Sequence, residues 1–90
     1  MSQRSGNDLM LCRVLGARVR ATRKAQGLTL EQAGERVGMK LTHLSRLERG
    51  VYAPSYRNLM RLVEGLGMAP ADLFAPVRPG ECDDDEARNN

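Results

Sequence analysis

The sequence predicts an all-α fold, a compact five-helix bundle, and three observations predict it. Apolar residues recur at the three- and four-residue spacing of a helix face, most clearly in the segment 59–66. Gly27, Gly38 and Gly50 each follow a periodic segment, in the position where a residue with positive φ ends a helix. No segment alternates apolar and polar residues as a half-buried strand does.

The charge of the chain is unevenly distributed. Residues 1–80 hold 13 of the 14 Lys and Arg and six of the 11 Asp and Glu, a net charge of +7. Residues 81–90 hold one arginine and five acids, a net charge of −4. A basic domain indicates a polyanionic partner, most commonly nucleic acid, although a basic surface that only aids solubility is the alternative. Three aromatic residues are too few for the stacking platforms that bind single strands.

The 90 residues show few features of a disulfide-bonded protein, a metal-binding protein or an enzyme. Cys12 and Cys82 lack a CxxC partner, so two thiols in a reducing cytosol are expected rather than a disulfide or a metal site. The single histidine has no accompanying nucleophile or ligand set, and there is no phosphate-binding glycine loop. We therefore expect a cytoplasmic protein that is not an enzyme, with no cofactor, no metal, no membrane span and no small-molecule substrate.

The first predicted helix follows a flexible N-terminus, residues 1–7. Asp8 can cap it, and Leu11, Leu15, Val19 and Thr22 form its inward face. Residues 8–75 are predicted to be the folded domain, and 76–90 a disordered acidic tail that buries too little to fold.

Two short helices in close succession predict a helix-turn-helix. Thr29 and Gln32 have the spacing of a capping box that opens the first of them. Gly38 ends that helix, and a second one follows over residues 41–49 after a turn of three or four residues. Gly34, in the middle of the first helix, is expected to let the two backbones approach closely.

The last two predicted helices complete the bundle. Ser55 is expected to cap a fourth helix that ends at Gly67. Pro70 stands at the first position of a fifth, with Asp72 in its first turn and Leu73 on its apolar face.

The segment from Leu28 to Gly50, with Leu-Ser-Arg-Leu-Glu-Arg-Gly at 44–50 followed by Pro54-Ser55, resembles one known family. It is similar to the phage repressor and Cro-like, or XRE-type, helix-turn-helix transcriptional regulators. The resemblance covers residues 11–75 and implies a bundle of the phage-repressor type whose third helix reads DNA. It also implies a homodimer that acts as a repressor or autoregulator on double-stranded DNA.

The resemblance implies roles for individual residues. Arg23 and Glu48 match a structural ion pair between the first and third helices. The residues expected to read base edges are Leu41, Thr42, His43 and Arg46. The residues expected to contact phosphates are Thr29, Lys40, Ser45, Arg49, Tyr52, Ser55 and Arg57. Met68 and Phe74 are the candidates for a dimer interface.

Two positions depart from the family pattern, and one other function stays open. Lys40 stands where relatives commonly have a small capping hydroxyl, and Leu41 where they have a polar residue. The alternative function is an antitoxin-like adaptor whose main partner is another protein. Such an adaptor does not need the basic residues predicted on the exposed face of the third helix. The acidic residues 81–86 are expected to solubilise the chain, and competition with DNA is the alternative.

Overall fold

A computed structural model describes the backbone of residues 6–77 and the side chains from Leu9 onward. Within this range every element of regular secondary structure is a helix, which confirms the predicted all-α class. The α-helices are α1 (Gly6–Ala25), α2 (Leu30–Val37), α3 (Leu41–Glu48) and α4 (Tyr56–Leu66). The predicted tail from residue 78 onward, including Cys82, lies outside the described residues, as do residues 1–5.

The prediction of a fifth α-helix is wrong. Residues Pro70–Asp72 form one turn of 3₁₀-helix, in which Leu73 N–H donates to Pro70 O at 3.2 Å. Pro76 follows soon after and has no backbone N–H with which to extend the turn. Arg18 of α1 donates through Nε to Ala75 O at 3.1 Å and through Nη2 to Pro76 O at 2.7 Å.

The helix α1 also differs from the prediction. It begins at Gly6 rather than after Asp8, and Leu11 is 47% exposed although it was expected on the inward face. At 100° per residue, Cys12 lies between Leu15 and Gly16 on the buried face of α1, and Leu11 lies at the edge of that face. Accordingly Cys12 is buried, and Leu15 and Val19 are almost completely inaccessible to solvent.

The core lies where α1, α2, α3 and α4 meet. Its largest fully buried side chains are Leu15, Val19, Leu44, Leu47 and Leu62. At this size the buried apolar surface is limited, so each of these contacts is a considerable part of the stability. Within residues 6–77, no helix combines the length and apolar character needed to cross a bilayer.

Close backbone approach fixes how α3 sits on α1. A Cβ added to Gly16 would come within 2.6 Å of the carbonyl oxygen of Glu48 and would also collide with that of Leu47. Real Cβ atoms essentially never approach backbone oxygen so closely. Only glycine at position 16 therefore allows the C-terminal end of α3 to lie against α1.

Candidate nucleic-acid interface

The two helices of the predicted motif are joined by a turn whose geometry is locally encoded. Thr29 Oγ1 accepts from Gln32 N–H at 3.0 Å, and Gln32 Oε1 accepts from Thr29 N–H at 2.9 Å, which confirms the capping box. Gly38 ends α2 with φ of +72°, in the left-handed region that glycine favours. Met39 N–H then donates to Gly34 O at 2.9 Å, and its side chain is buried. Such a termination turns the chain sharply into α3.

Gly34 permits this turn to close. A Cβ at position 34 would lie 2.8 Å from the carbonyl oxygen of Met39. The close approach is therefore to the turn itself, rather than to the body of α3 as the sequence suggested. The position and direction of α3 relative to α2 follow from this contact.

A buried ion pair holds the other end of α3. Arg23 donates through Nε to Glu48 Oε2 at 2.7 Å and through Nη2 to Glu48 Oε1 at 3.0 Å. Arg23 Nη1 donates to Leu28 O at 2.9 Å, so one guanidinium joins α1, the segment before α2 and α3. The bidentate geometry fixes orientation as well as distance. Arg20 Nη1 lies 4.0 Å from Glu48 Oε1, at the outer side of the same pair.

The outer face of α3 forms one side of a shallow concavity. Its lining residues come from α3 and from the start of α2: Leu30, Leu41, Thr42, Ser45, Arg46 and Arg49. Thr42 and Arg46, four residues apart, are both exposed on this face. Leu41 is 49% exposed, an apolar side chain at the edge of a polar surface. The structure thus brings together three of the four predicted base-reading residues and two of those predicted to contact phosphate.

The fourth predicted reader, His43, lies to the side of that concavity. It is half-buried, and its ring packs edge-on against Tyr52, with the ring centroids 4.3 Å apart. Tyr52 is half-buried as well, and its hydroxyl accepts from Asn58 Nδ2 at 2.8 Å. His43 therefore packs against the loop after α3 and remains partly exposed to solvent.

The remaining predicted phosphate contacts surround α3. Lys40 is exposed at the N-cap of α3 and makes no side-chain capping bond. Ser55 caps α4, because its Oγ accepts from Asn58 N–H at 3.2 Å. Thr29 and Arg57 are exposed at the N-terminal ends of α2 and α4, where backbone N–H groups lack helical partners.

The charges on this face have one sign. Glu48 is the only acidic residue of α3, and it is 8% exposed and paired. The exposed ionisable groups of α3 and its two caps are Lys40, Arg46 and Arg49. The surface of α3 is therefore cationic even though the helix contains a carboxylate.

The two residues predicted to form a dimer interface occupy different environments. Met68 is 7% exposed and belongs to the core, so the expectation that it lies at an interface is wrong. Gly67 ends α4 in the left-handed conformation, Met68 N–H donates to Val63 O at 3.1 Å, and this termination folds the methionine inward. Phe74 is 44% exposed and lines an apolar groove with Leu11.

Asn58 was not among the residues predicted from the sequence. It lies in the first turn of α4, three residues after the Ser55 cap, and connects Ser55 with Tyr52. The i, i+3 spacing from a capping serine is a local signal for the backbone bond. The side-chain bond to Tyr52 depends on how the loop folds back and has no such signal.

Comparisons with known proteins identify domains that are similar to this one. A family model described as a helix-turn-helix domain matches residues 14–75. Among solved structures, the restriction-modification controller protein C.AhdI from Aeromonas hydrophila is 30% identical with a TM-score of 0.67, over 70% of this chain and 96% of that one. The clp gene regulator ClgR from Corynebacterium glutamicum is 35% identical with a TM-score of 0.66, over 70% of this chain and 67% of that one.

An HTH_3 family transcriptional regulator from Vibrio cholerae is also similar, with 26% identity and a TM-score of 0.71. The alignment covers 76% of this chain but only 38% of the Vibrio protein, which is therefore much longer than the matched region. A search of curated proteins found no match.

Proposed function

We propose that α3 reads the major groove of double-stranded DNA sequence-specifically. The premise is that this chain belongs to the helix-turn-helix domain family of DNA-binding transcriptional regulators. The observation that carries the proposal is the cationic outer surface of α3, on which Lys40, Arg46 and Arg49 are exposed while Glu48 is buried. A helix fits the major groove, which is about 12 Å wide. An unpaired carboxylate on that surface would repel the phosphates, so its burial favours DNA as the partner.

The base-reading roles follow from exposure and side-chain chemistry. Arg46 can donate two hydrogen bonds to O6 and N7 of guanine, the commonest specific contact in the major groove. Thr42 lies one turn away on the same face, within reach of an adjacent base edge. Leu41 can pack against a thymine methyl group. His43, which packs against Tyr52, can contact a base or a phosphate at the flank.

The phosphate contacts position α3 without reading sequence. Lys40, Arg49 and Arg57 supply charge, and the exposed N-terminus of α2 at Thr29 supplies backbone donors. Hydroxyl donors come from Ser45, Tyr52 and Ser55.

We further propose that the chain acts as a homodimer. The exposed outer face of α3 is only two turns long and reads few base pairs, and two-fold symmetry doubles the site. The exposed ring of Phe74 beside Leu11 supplies apolar surface for such contact. Occupancy of its own promoter would make the protein a repressor and autoregulator.

Fluorescence anisotropy with a labelled random duplex tests the DNA-binding function. Because binding releases counterions, we expect the affinity to fall by about 10³ between about 50 mM and about 200 mM salt if the dimer neutralises about six phosphates. A single-stranded oligonucleotide of the same length serves as the control and should bind more weakly, because stacking residues are few. Absence of duplex binding at low salt would overturn the proposal and leave the adaptor function as the better account.

A further inference from the structure

The loop between α3 and α4 contains a hydroxyl whose hydrogen bonding is set by one amide. Asn58 Nδ2 donates to the Tyr52 hydroxyl at 2.8 Å, in a half-buried position. The backbone N–H of Asn58 donates to Ser55 Oγ at 3.2 Å, which holds Asn58 in the first turn of α4. Tyr52 is thus tied to α4 through its oxygen.

Tyr52 is tied to α3 through its ring. The ring packs edge-on against His43 at a centroid distance of 4.3 Å, with an angle of 63° between the ring planes. The oxygen and the ring together fix the phenol relative to both helices. A phenol held at both ends loses little conformational entropy when it makes one more contact.

The direction of the bond from Asn58 decides what Tyr52 can do. A phenol has one O–H donor, and here its oxygen already accepts from the amide. The hydroxyl proton is therefore not used by Asn58 and is available to another acceptor. Accepting one hydrogen bond also polarises the O–H group and strengthens the bond that it donates.

We infer that Asn58 is a positioning residue for a DNA phosphate contact, acting through the hydroxyl of Tyr52. The inference rests on the proposed DNA-binding function, and it names a residue that need not touch DNA itself. The amide holds the phenol oxygen as an acceptor, so that the proton of Tyr52 is presented to a phosphate oxygen beside α3. His43 sets the distance of this contact from the reading helix.

Three variants test the inference on binding to a random duplex: Tyr52→Phe, Asn58→Ala and the two combined. Tyr52→Phe keeps the ring contact with His43 and removes only the hydroxyl. We expect each single variant to weaken binding about fivefold per protomer, the usual value of one hydrogen bond, and the double variant to be no weaker than either. The salt dependence should not change, because no charge is removed. A double variant whose loss of affinity equals the product of the two single losses would contradict coupling through the hydroxyl.

The Asn58→Asp variant tests whether the direction of the hydrogen bond to Tyr52 matters, or only the presence of a similar side chain at position 58. A carboxylate can only accept, so it keeps the bond to Tyr52 but takes the hydroxyl proton for itself. Its negative charge also repels DNA, and the same substitution in the Tyr52→Phe background measures that repulsion alone. We expect Asn58→Asp to weaken binding more when Tyr52 is present than when it is Phe. Equal effects in both backgrounds would overturn the inference.

The outcomes also distinguish this inference from the function on which it rests. Thermal melting followed by circular dichroism checks that every variant is folded at the temperature of the binding assay. A wild-type protein that does not bind duplex at low salt contradicts the proposed function itself. A wild-type protein that binds with a steep salt dependence, while Tyr52→Phe and Asn58→Ala bind equally well, contradicts only the role of Asn58.

Discussion

Arg23 and Glu48 are joined by two hydrogen bonds of 2.7 and 3.0 Å, and both side chains are more than nine-tenths buried. The pair lies between α1 and the C-terminal end of α3, directly behind the cationic surface that we propose reads DNA. It therefore connects the stability of the bundle with the orientation of the reading helix.

Replacing one partner of this pair should be costly. We expect Glu48→Gln to lower the free energy of unfolding by about 3–5 kcal/mol, because the guanidinium of Arg23 stays buried without a counter-charge. Urea denaturation of the purified protein measures this. Glu64→Gln, the same substitution at an exposed position of α4, is the control and should change stability by less than about 0.5 kcal/mol. A Glu48→Gln variant as stable as this control would show that the pair does not hold the fold.

Gly16 should not tolerate a methyl group. Alanine is the better helix former by about 1 kcal/mol, yet its Cβ would meet the carbonyl oxygen of Glu48 at 2.6 Å. We expect Gly16→Ala to destabilise the protein by about 1–3 kcal/mol, because two backbones must separate. Ala17→Gly, at the exposed neighbouring position, calibrates the helix propensity alone and should cost about 1 kcal/mol. Stabilisation by Gly16→Ala would mean that α1 and α3 are not in close contact.

Lys40 is expected to lower the stability of the fold and to raise the affinity for DNA. It occupies the N-cap of α3 without a capping bond, so Lys40→Ser should raise the free energy of unfolding by about 1 kcal/mol. The same change removes a proposed phosphate contact, and the slope of log affinity against log salt should decrease in magnitude by about 1 per protomer. Thermal melts and anisotropy titrations at several salt concentrations measure the two effects. A more stable variant with unchanged salt dependence would place Lys40 away from the phosphates.

Phe74 should matter for assembly rather than for folding. Its ring is 44% exposed beside the exposed Leu11, so we expect Phe74→Glu to abolish the dimer and to leave a folded monomer. Sedimentation velocity over a range of protein concentrations measures this. Met68→Glu is the contrasting variant and should unfold the protein, because Met68 is buried in the core. A wild-type monomer at high concentration would contradict the homodimer.

Local signals in the sequence predicted much of the architecture. The Thr29–Gln32 capping box and the glycine that ends α2 depend on residues close together in the chain, and both have the expected geometry. The burial of Met68 also has a local cause, since Met39 follows Gly38 in the same way and is likewise buried. The contact between α1 and the segment after the 3₁₀ turn was not predictable, because Arg18 binds carbonyls 57 and 58 residues away.

The candidate site also combines features that are encoded locally with features that depend on long-range contacts. The helical spacing of the core residues of α3 predicted that Thr42 and Arg46 share an exposed face, as they do. The ring contact between His43 and Tyr52 and the hydrogen bond from Asn58 depend on how Tyr52 folds back between two helices. That arrangement is a tertiary contact, and spacing along the chain does not encode it.

The most direct test of the central claim is selection of bound sites from a random duplex pool, with wild-type protein and Arg46→Ala in parallel. If α3 reads the major groove, the wild type should enrich a defined sequence, and Arg46→Ala should lose preference at one guanine per half-site, worth about 1–3 kcal/mol, while the other positions persist. No enriched sequence with the wild type, or an identical sequence with both proteins, would contradict base reading by α3 through Arg46.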